Sequence, residues 1–100
     1  MQLVVQFRAT STEDFNRLLS FEANVMRQVE SFALFDGHDY ISEEFSLFLI
    51  TDQPKETLDI VRQLAETENL GTDFKAACRG ASEKDFVVLW PPTLSESTIK

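Results

Sequence analysis

Hydrophobic and polar residues alternate along several short segments of the chain, which predicts β-strands. In residues 2–8, Leu3, Val5 and Phe7 fall on one face, and mostly polar residues fall on the other. Residues 44–51 are apolar on both faces, which is typical of a central strand or of a strand whose outer face is covered. Three further strands are predicted at residues 32–39, 74–79 and 85–90.

Two segments between these strands carry apolar residues at helical spacing. The first predicted helix covers residues 12–30. It begins at one of two overlapping capping boxes, which pair Thr10 with Glu13 and Ser11 with Asp14.

The second predicted helix begins within residues 51–54, where Thr51 or Asp52 can cap it and Pro54 suits its first turn. It ends near Gly71, which is predicted to act as a left-handed cap. The whole chain has only three Gly and three Pro, so short loops are expected.

The predicted order of elements is β-α-β-β-α-β-β, with a turn at residues 40–43. The first six elements match the ferredoxin-like βαββαβ sandwich, in which two helices pack on one face of an antiparallel sheet. The predicted fold is therefore α+β and ferredoxin-like, with an extra C-terminal strand. Residues 1–92 are predicted as a single domain because Pro91 and Pro92 stop strand pairing, and residues 93–100 as a flexible polar tail.

Composition excludes several classes of function. Across 100 residues, nine Lys and Arg stand against 17 Asp and Glu, and the net charge of −8 disfavours nucleic acid and anionic membranes as partners. No apolar segment is long enough to span a bilayer and the N-terminus lacks signal-peptide features, so a cytoplasmic location is expected. The single Cys78 fits a reducing compartment. Neither a nucleophile elbow nor a glycine-rich phosphate loop is present in the sequence, so no catalytic residue and no cofactor are predicted.

Four parts of the sequence carry a resemblance to known proteins: residues 36–39 (Asp-Gly-His-Asp), Ser42 with Glu44, residues 48–54 (Phe-Leu-Ile-Thr-Asp-Gln-Pro) and residues 88–91 (Val-Leu-Trp-Pro). Together they resemble a group of small acidic bacterial proteins, and the resemblance spans most of residues 1–92. The group has no assigned activity, so the resemblance implies a one-domain α+β protein and no functional role for any residue. The chain departs from the group at Ile41 and Glu43, where a glycine-rich turn has small residues.

The densest group of polar side chains lies around the predicted turn at residues 40–43. Carboxylates and imidazole bind divalent cations, and a His beside carboxylates can move protons. Asp36 and His38 are two residues apart on a strand and are expected to share a face. The favoured alternative is an ordinary solvated hairpin, because Asp and Gly are common turn formers. The candidate polar cluster consists of Asp36, His38, Asp39, Glu43 and Glu44.

A second candidate site is the sheet face that the helices leave uncovered. Apolar residues in alternation with the core positions are predicted to lie there, and exposed apolar patches mark interfaces or ligand clefts. The C-terminal tail folding over this face is a third alternative. The candidate interface consists of Val4, Phe48 and Ile50, joined by Val87 and Leu89 if the last strand has the matching phase.

These observations predict a protein-interaction or regulatory module that forms a homodimer through the sheet face or binds a basic protein partner. An alternative is a domain that binds a small apolar ligand in a pocket beside the sheet. A metal or proton-transfer site around His38 is the least favoured hypothesis.

Overall fold

The computed structural model describes residues 1–31, 33–70, 74–80 and 84–90. The predicted order of elements is confirmed in this part of the chain. Predictions for Phe32, Gly71 and residues 91–100, the tail and its Pro-Pro boundary included, lie outside the described residues. The elements are β1 (Gln2–Arg8), α1 (Thr12–Val29), β2 (Ala33–Ile41), β3 (Glu44–Thr51), α2 (Pro54–Thr67), β4 (Lys75–Arg79) and β5 (Val87–Trp90).

The described strands form one sheet in the order β2-β3-β1-β4-β5, and every neighbouring pair is antiparallel. The predicted α+β class with an antiparallel sheet and an added C-terminal strand is confirmed. Strand β1 lies at the centre, between β3 and β4, and the successive residues Leu3, Val4 and Val5 are buried on both of its faces. Neither described helix is long and apolar enough to cross a membrane.

Both helices pack on one face of the sheet and form the hydrophobic core there. Buried side chains of α1 and α2 meet those of β1, β3 and β4 in a single cluster. The Phe7 ring lies at its centre, 5.3 Å from the Phe21 ring and 5.1 Å from the Phe74 ring. Phe21 is fully buried, and burial of one such ring stabilises the fold by about 2–3 kcal/mol.

Helix α1 begins at the second of the two predicted capping boxes. Ser11 is the N-cap, and its hydroxyl accepts a hydrogen bond from the backbone N–H of Asp14 at 3.1 Å. The Asp14 carboxylate accepts in return from the backbone N–H of Thr10, also at 3.1 Å. Two backbone donors are thereby satisfied at the point where the helix has no internal acceptors for them.

Helix α2 differs from the prediction at its N-terminus. Its N-cap is Gln53, which makes no side-chain cap bond, whereas the Thr51 hydroxyl accepts from the Gln53 N–H at 2.9 Å just before the helix. At the C-terminus Asn69 takes the left-handed conformation, with φ of 59°. The Leu70 N–H then reaches the Ala65 carbonyl at 2.8 Å, which completes a Schellman motif.

A two-residue turn joins β2 to β3, shorter than the predicted turn at residues 40–43. Tyr40 and Ile41 belong to β2, and only Ser42 and Glu43 lie between the strands. Their φ values are 53° and 66°, as a type I′ hairpin turn requires. The Glu43 carbonyl accepts from the backbone N–H of Ala9 at 2.9 Å, which anchors the turn to the end of β1.

Two irregularities shift the register of the sheet. The pairing of β2 with β3 shifts between Phe35 and His38, where Gly37 has a φ of 108°. The pairing of β4 with β5 shifts between Ala76 and Ala77. Each shift breaks the two-residue alternation of one strand and thereby changes which side chains face the helices.

Candidate functional site

The side of the sheet opposite the helices, here called the open face, is built from four rows of side chains. Each row runs across neighbouring strands, because residues paired in register point to the same side. The rows are the turn row of Ile41, Glu44 and Arg8; the polar row of Asp39, Ser46, Gln6 and Lys75; the apolar row of Phe48, Val4, Ala77 and Val88; and the end row of Leu34, Ile50, Gln2 and Arg79.

The polar row forms the floor of a shallow groove of about 450 Å³. Gln6 Nε2 donates to Ser46 Oγ at 3.2 Å in the middle of the row. At one end, Lys75 Nζ lies 3.9 Å from Glu44 Oε1, a long contact between two side chains that are about one-third exposed. Most side chains around the groove are polar or charged. The lining residues are Gln6, Asp39, Ile41, Ser42, Glu44, Ser46, Phe48 and Lys75.

Exposed apolar side chains lie at both ends of the open face, and Ile41 in the turn row is 64% exposed. Leu34 is 72% exposed and Ile50, its partner in the end row, is 38% exposed. Phe48 is half-buried. Val4 lies on the open face as predicted, but it is only 1% exposed between its register partners Phe48 and Ala77. Val4 therefore supports its neighbours and presents no surface of its own.

The expectation for the last strand is corrected by its register. Val87 pairs with Cys78, a core residue of β4, and Leu89 packs against the core cluster from the helix side. Val88 is the residue of β5 that pairs with Ala77 on the open face. Because Val87 pairs with a core residue and Leu89 packs on the core cluster, neither joins the other candidate interface residues.

The open face differs in charge from the chain as a whole. Its rows carry three cations, which are Arg8, Lys75 and Arg79, and two carboxylates, which are Asp39 and Glu44. These five groups give a net charge of +1, against −8 for the chain. The excess of acidic side chains therefore lies away from the open face.

His38 lies on the helix side of the sheet, where it contacts α1. Its Nδ1 is 2.6 Å from Oε2 of Glu22, a largely buried carboxylate. The imidazole also stacks on the Phe45 ring, with 5.0 Å between centroids and 17° between planes. The pair ties β2 to α1, and a His oriented by a carboxylate is one element of acid–base sites.

The candidate polar cluster is divided between the two sides of the sheet. Asp39 and Glu44 lie on the open face, His38 lies on the helix side, and exposed Asp36 sits at the register shift. Glu43 lies in the turn, with Oε1 3.8 Å from the Arg8 guanidinium. Among the described residues, no group of three or more His, Cys, Asp and Glu side chains could hold a metal ion.

Sequence reasoning missed Glu22 as the partner of His38. A signal for it exists, since Glu22 lies one turn after Leu18 and next to Phe21, at the border of the buried stripe of α1. A carboxylate at such a border needs a hydrogen-bond donor from the neighbouring element.

Comparison with known protein families gives no matching family model, and comparison with curated proteins gives no match either. Function is therefore inferred from the open face.

Proposed function

We propose that the protein is an interaction module that forms a homodimer through the open face. The observation that carries the proposal is the composition of this face, in which exposed apolar side chains and balanced charges lie on a sheet that no described helix covers. Leu34, Ile50 and Phe48 supply apolar area, and burial of such area drives association.

The charges of the open face favour a second copy over a strongly basic partner. A basic partner is attracted by a surface rich in carboxylates, but the row residues of the open face have a net charge of +1. Two copies that meet through this face keep their acidic surfaces apart. At physiological ionic strength the remaining long-range repulsion between chains of charge −8 is largely screened.

Neither described helix covers this face. We propose to class the first six elements as a ferredoxin-like unit with β5 as an added edge strand, in which both helices occupy the opposite face. Strands about 4.8 Å apart and same-face residues about 6.6 Å apart give the four rows an area of roughly 400 Å² in plan. This is small for a stable interface, so we expect a dimer that dissociates at about micromolar concentrations.

The test is the solution mass by light scattering after size exclusion, measured over a wide range of concentrations at physiological salt. We expect a concentration-dependent dimer that Ile50→Asp converts to a monomer. The matched control is Met26→Asp, because Met26 is 42% exposed on α1 and Ile50 is 38% exposed on the open face. A monomeric parent protein at every concentration, or equal loss of the dimer in both variants, would overturn the proposal.

A further inference from the structure

We propose that the two copies of this homodimer are related by a two-fold axis that runs parallel to the strands, between β1 and β3. The inference rests on the proposed function and adds the geometry of the interface. It follows from the order in which charged and neutral side chains stand along the polar row.

The polar row is oppositely charged at its two ends. Crossing the sheet from β2 to β4, it presents Asp39, Ser46, Gln6 and Lys75. The backbone positions of Asp39 and Lys75 are three strand spacings apart, or about 14 Å. Among the described residues, the Asp39 carboxylate has no hydrogen-bond or ion-pair partner, and the contact of Lys75 with Glu44 is long at 3.9 Å. Both end charges are therefore available to a partner.

A two-fold axis between β1 and β3 exchanges the two ends of this row. Rotation by 180° about that axis lays β4 of one copy over β2 of the other and β1 over β3. Asp39 then faces the partner's Lys75, and Ser46 faces the partner's Gln6. Because the interface is isologous, each of these contacts forms twice.

The same rotation also matches the neighbouring rows. In the turn row, Glu44 faces the partner's Arg8. In the apolar row, Phe48 faces the partner's Val4, and in the end row the exposed Leu34 faces the aliphatic stem of the partner's Arg79. No two like charges of the four rows face each other in this arrangement.

A two-fold axis perpendicular to the strands gives a poorer match. Placed between the polar and apolar rows, it lays the polar row of one copy over the apolar row of the other. Lys75 then faces the partner's Ala77, and Asp39 approaches the register shift that carries the partner's Asp36. Charges without partners, or beside like charges, are costly to bury. Charge complementarity therefore selects the axis parallel to the strands.

Charge reversal tests the axis. Asp39→Lys places two lysines opposite each other at both symmetric contacts, and Lys75→Glu places Glu opposite Asp at both. We expect each variant alone to raise the dimer Kd by about tenfold or more. A mixture of the two variants restores both contacts with unlike charges, as does the double variant D39K/K75E, and we expect dimers in both cases.

Matched controls make the same charge changes outside the open face. Glu30→Lys at the end of α1 changes the net charge by the same amount as Asp39→Lys, and Lys55→Glu at the start of α2 by the same amount as Lys75→Glu. Both control residues are exposed. We expect the controls to dimerise like the parent protein. The fluorescence of Trp90, the single tryptophan, reports whether each variant is folded.

The outcomes separate the two proposals. A monomeric parent protein overturns the proposed function and the axis with it. If the parent dimerises but the two single reversals leave its Kd unchanged, or their mixture fails to form dimers, the axis is wrong and the homodimer stands. Dimers in the mixture, with monomers in each single variant, support the axis.

Discussion

Replacement of Glu43 by glycine is expected to stabilise the protein. Ser42 and Glu43 both have positive φ, 53° and 66°, in the turn between β2 and β3. A residue with a Cβ in this region costs roughly 1–2 kcal/mol because the Cβ crowds the following carbonyl, and glycine avoids that cost. The backbone bond from Ala9 to the Glu43 carbonyl, at 2.9 Å, does not depend on the side chain and persists in the variant.

The net gain in the free energy of unfolding is smaller than the backbone strain energy that the glycine relieves. Glycine makes the unfolded chain more flexible, and this entropy cost of folding offsets about 0.5–1 kcal/mol of the strain energy that is relieved. The ion pair with Arg8 is lost, but at 3.8 Å between side chains that are 71% and 54% exposed it contributes little. Glu43→Gly is therefore expected to raise the free energy of unfolding by about 0.5–1 kcal/mol. In a domain of this size that shift raises Tm by about 2–8 °C.

The assay is equilibrium unfolding in urea followed by the fluorescence of Trp90. This residue stacks on Phe74 at 6.0 Å and lies under the Arg62 guanidinium at 4.3 Å, so unfolding changes its surroundings. Glu43→Ala is the control, because it removes the charge and keeps the Cβ. We expect its midpoint to equal that of the parent protein or to fall slightly. If the glycine variant is no more stable than the alanine variant, the reasoning from backbone strain is refuted.

Two further predictions use the same assay. Gly37→Ala should lower the free energy of unfolding by about 1 kcal/mol or more, because φ is 108° there, although an added Cβ would meet no atom within 4 Å; an unchanged midpoint would show that the backbone can relax. His38→Ala should lower it by about 1–2 kcal/mol through loss of the contacts with Glu22 and Phe45. In a double-mutant cycle with Glu22→Ala, a coupling energy of about 0.5–2 kcal/mol is expected, and a coupling near zero would contradict the role assigned to this pair.

The elements of the fold could be predicted from the sequence because each carries a local signal. The helical spacing after Ser11 predicts α1 to within one residue at its C-terminal end, and the Ser11–Asp14 box begins it. The bounds of β3 agree with the prediction. These signals are hydrophobic period and capping, which depend only on residues close together in the chain.

The side on which each candidate residue lies could not be predicted in the same way. Asp36 and His38 would lie on the same face of a regular strand, because they are two residues apart. The register shift at Gly37 breaks the alternation between them. The phase of Val87 depends likewise on a partner elsewhere in the chain, since it is set by the pairing with Cys78. A bulge is decided by the pairing of two distant strands, so the sequence of one strand does not reveal it.

The partner of His38 was missed for a related reason. Glu22 lies 16 residues away on α1, and only the packing of that helix on the sheet brings the two side chains to 2.6 Å. The N-terminus of α2 also departs from the local capping rules, since its N-cap is Gln53 and neither Thr51 nor Asp52. The hydroxyls of Thr51 and Thr57 lie 3.1 Å apart at that end, and the Thr57 hydroxyl donates to the Gln53 carbonyl at 2.7 Å.

The register shift in β2 also limits how large an assembly can become. Within the described sheet, β2 is an edge strand, and its outward backbone groups could template a strand from another molecule. The shift at Gly37 disturbs the spacing of those groups, and Asp36 and Asp39 place negative charge on the same strand. These features disfavour the addition of further strands at the β2 edge and so disfavour growth of the sheet into a filament. In a dimer with a two-fold axis, the open face of each copy is buried against the other copy and cannot bind a third. Assembly of the proposed homodimer is therefore expected to stop at two copies.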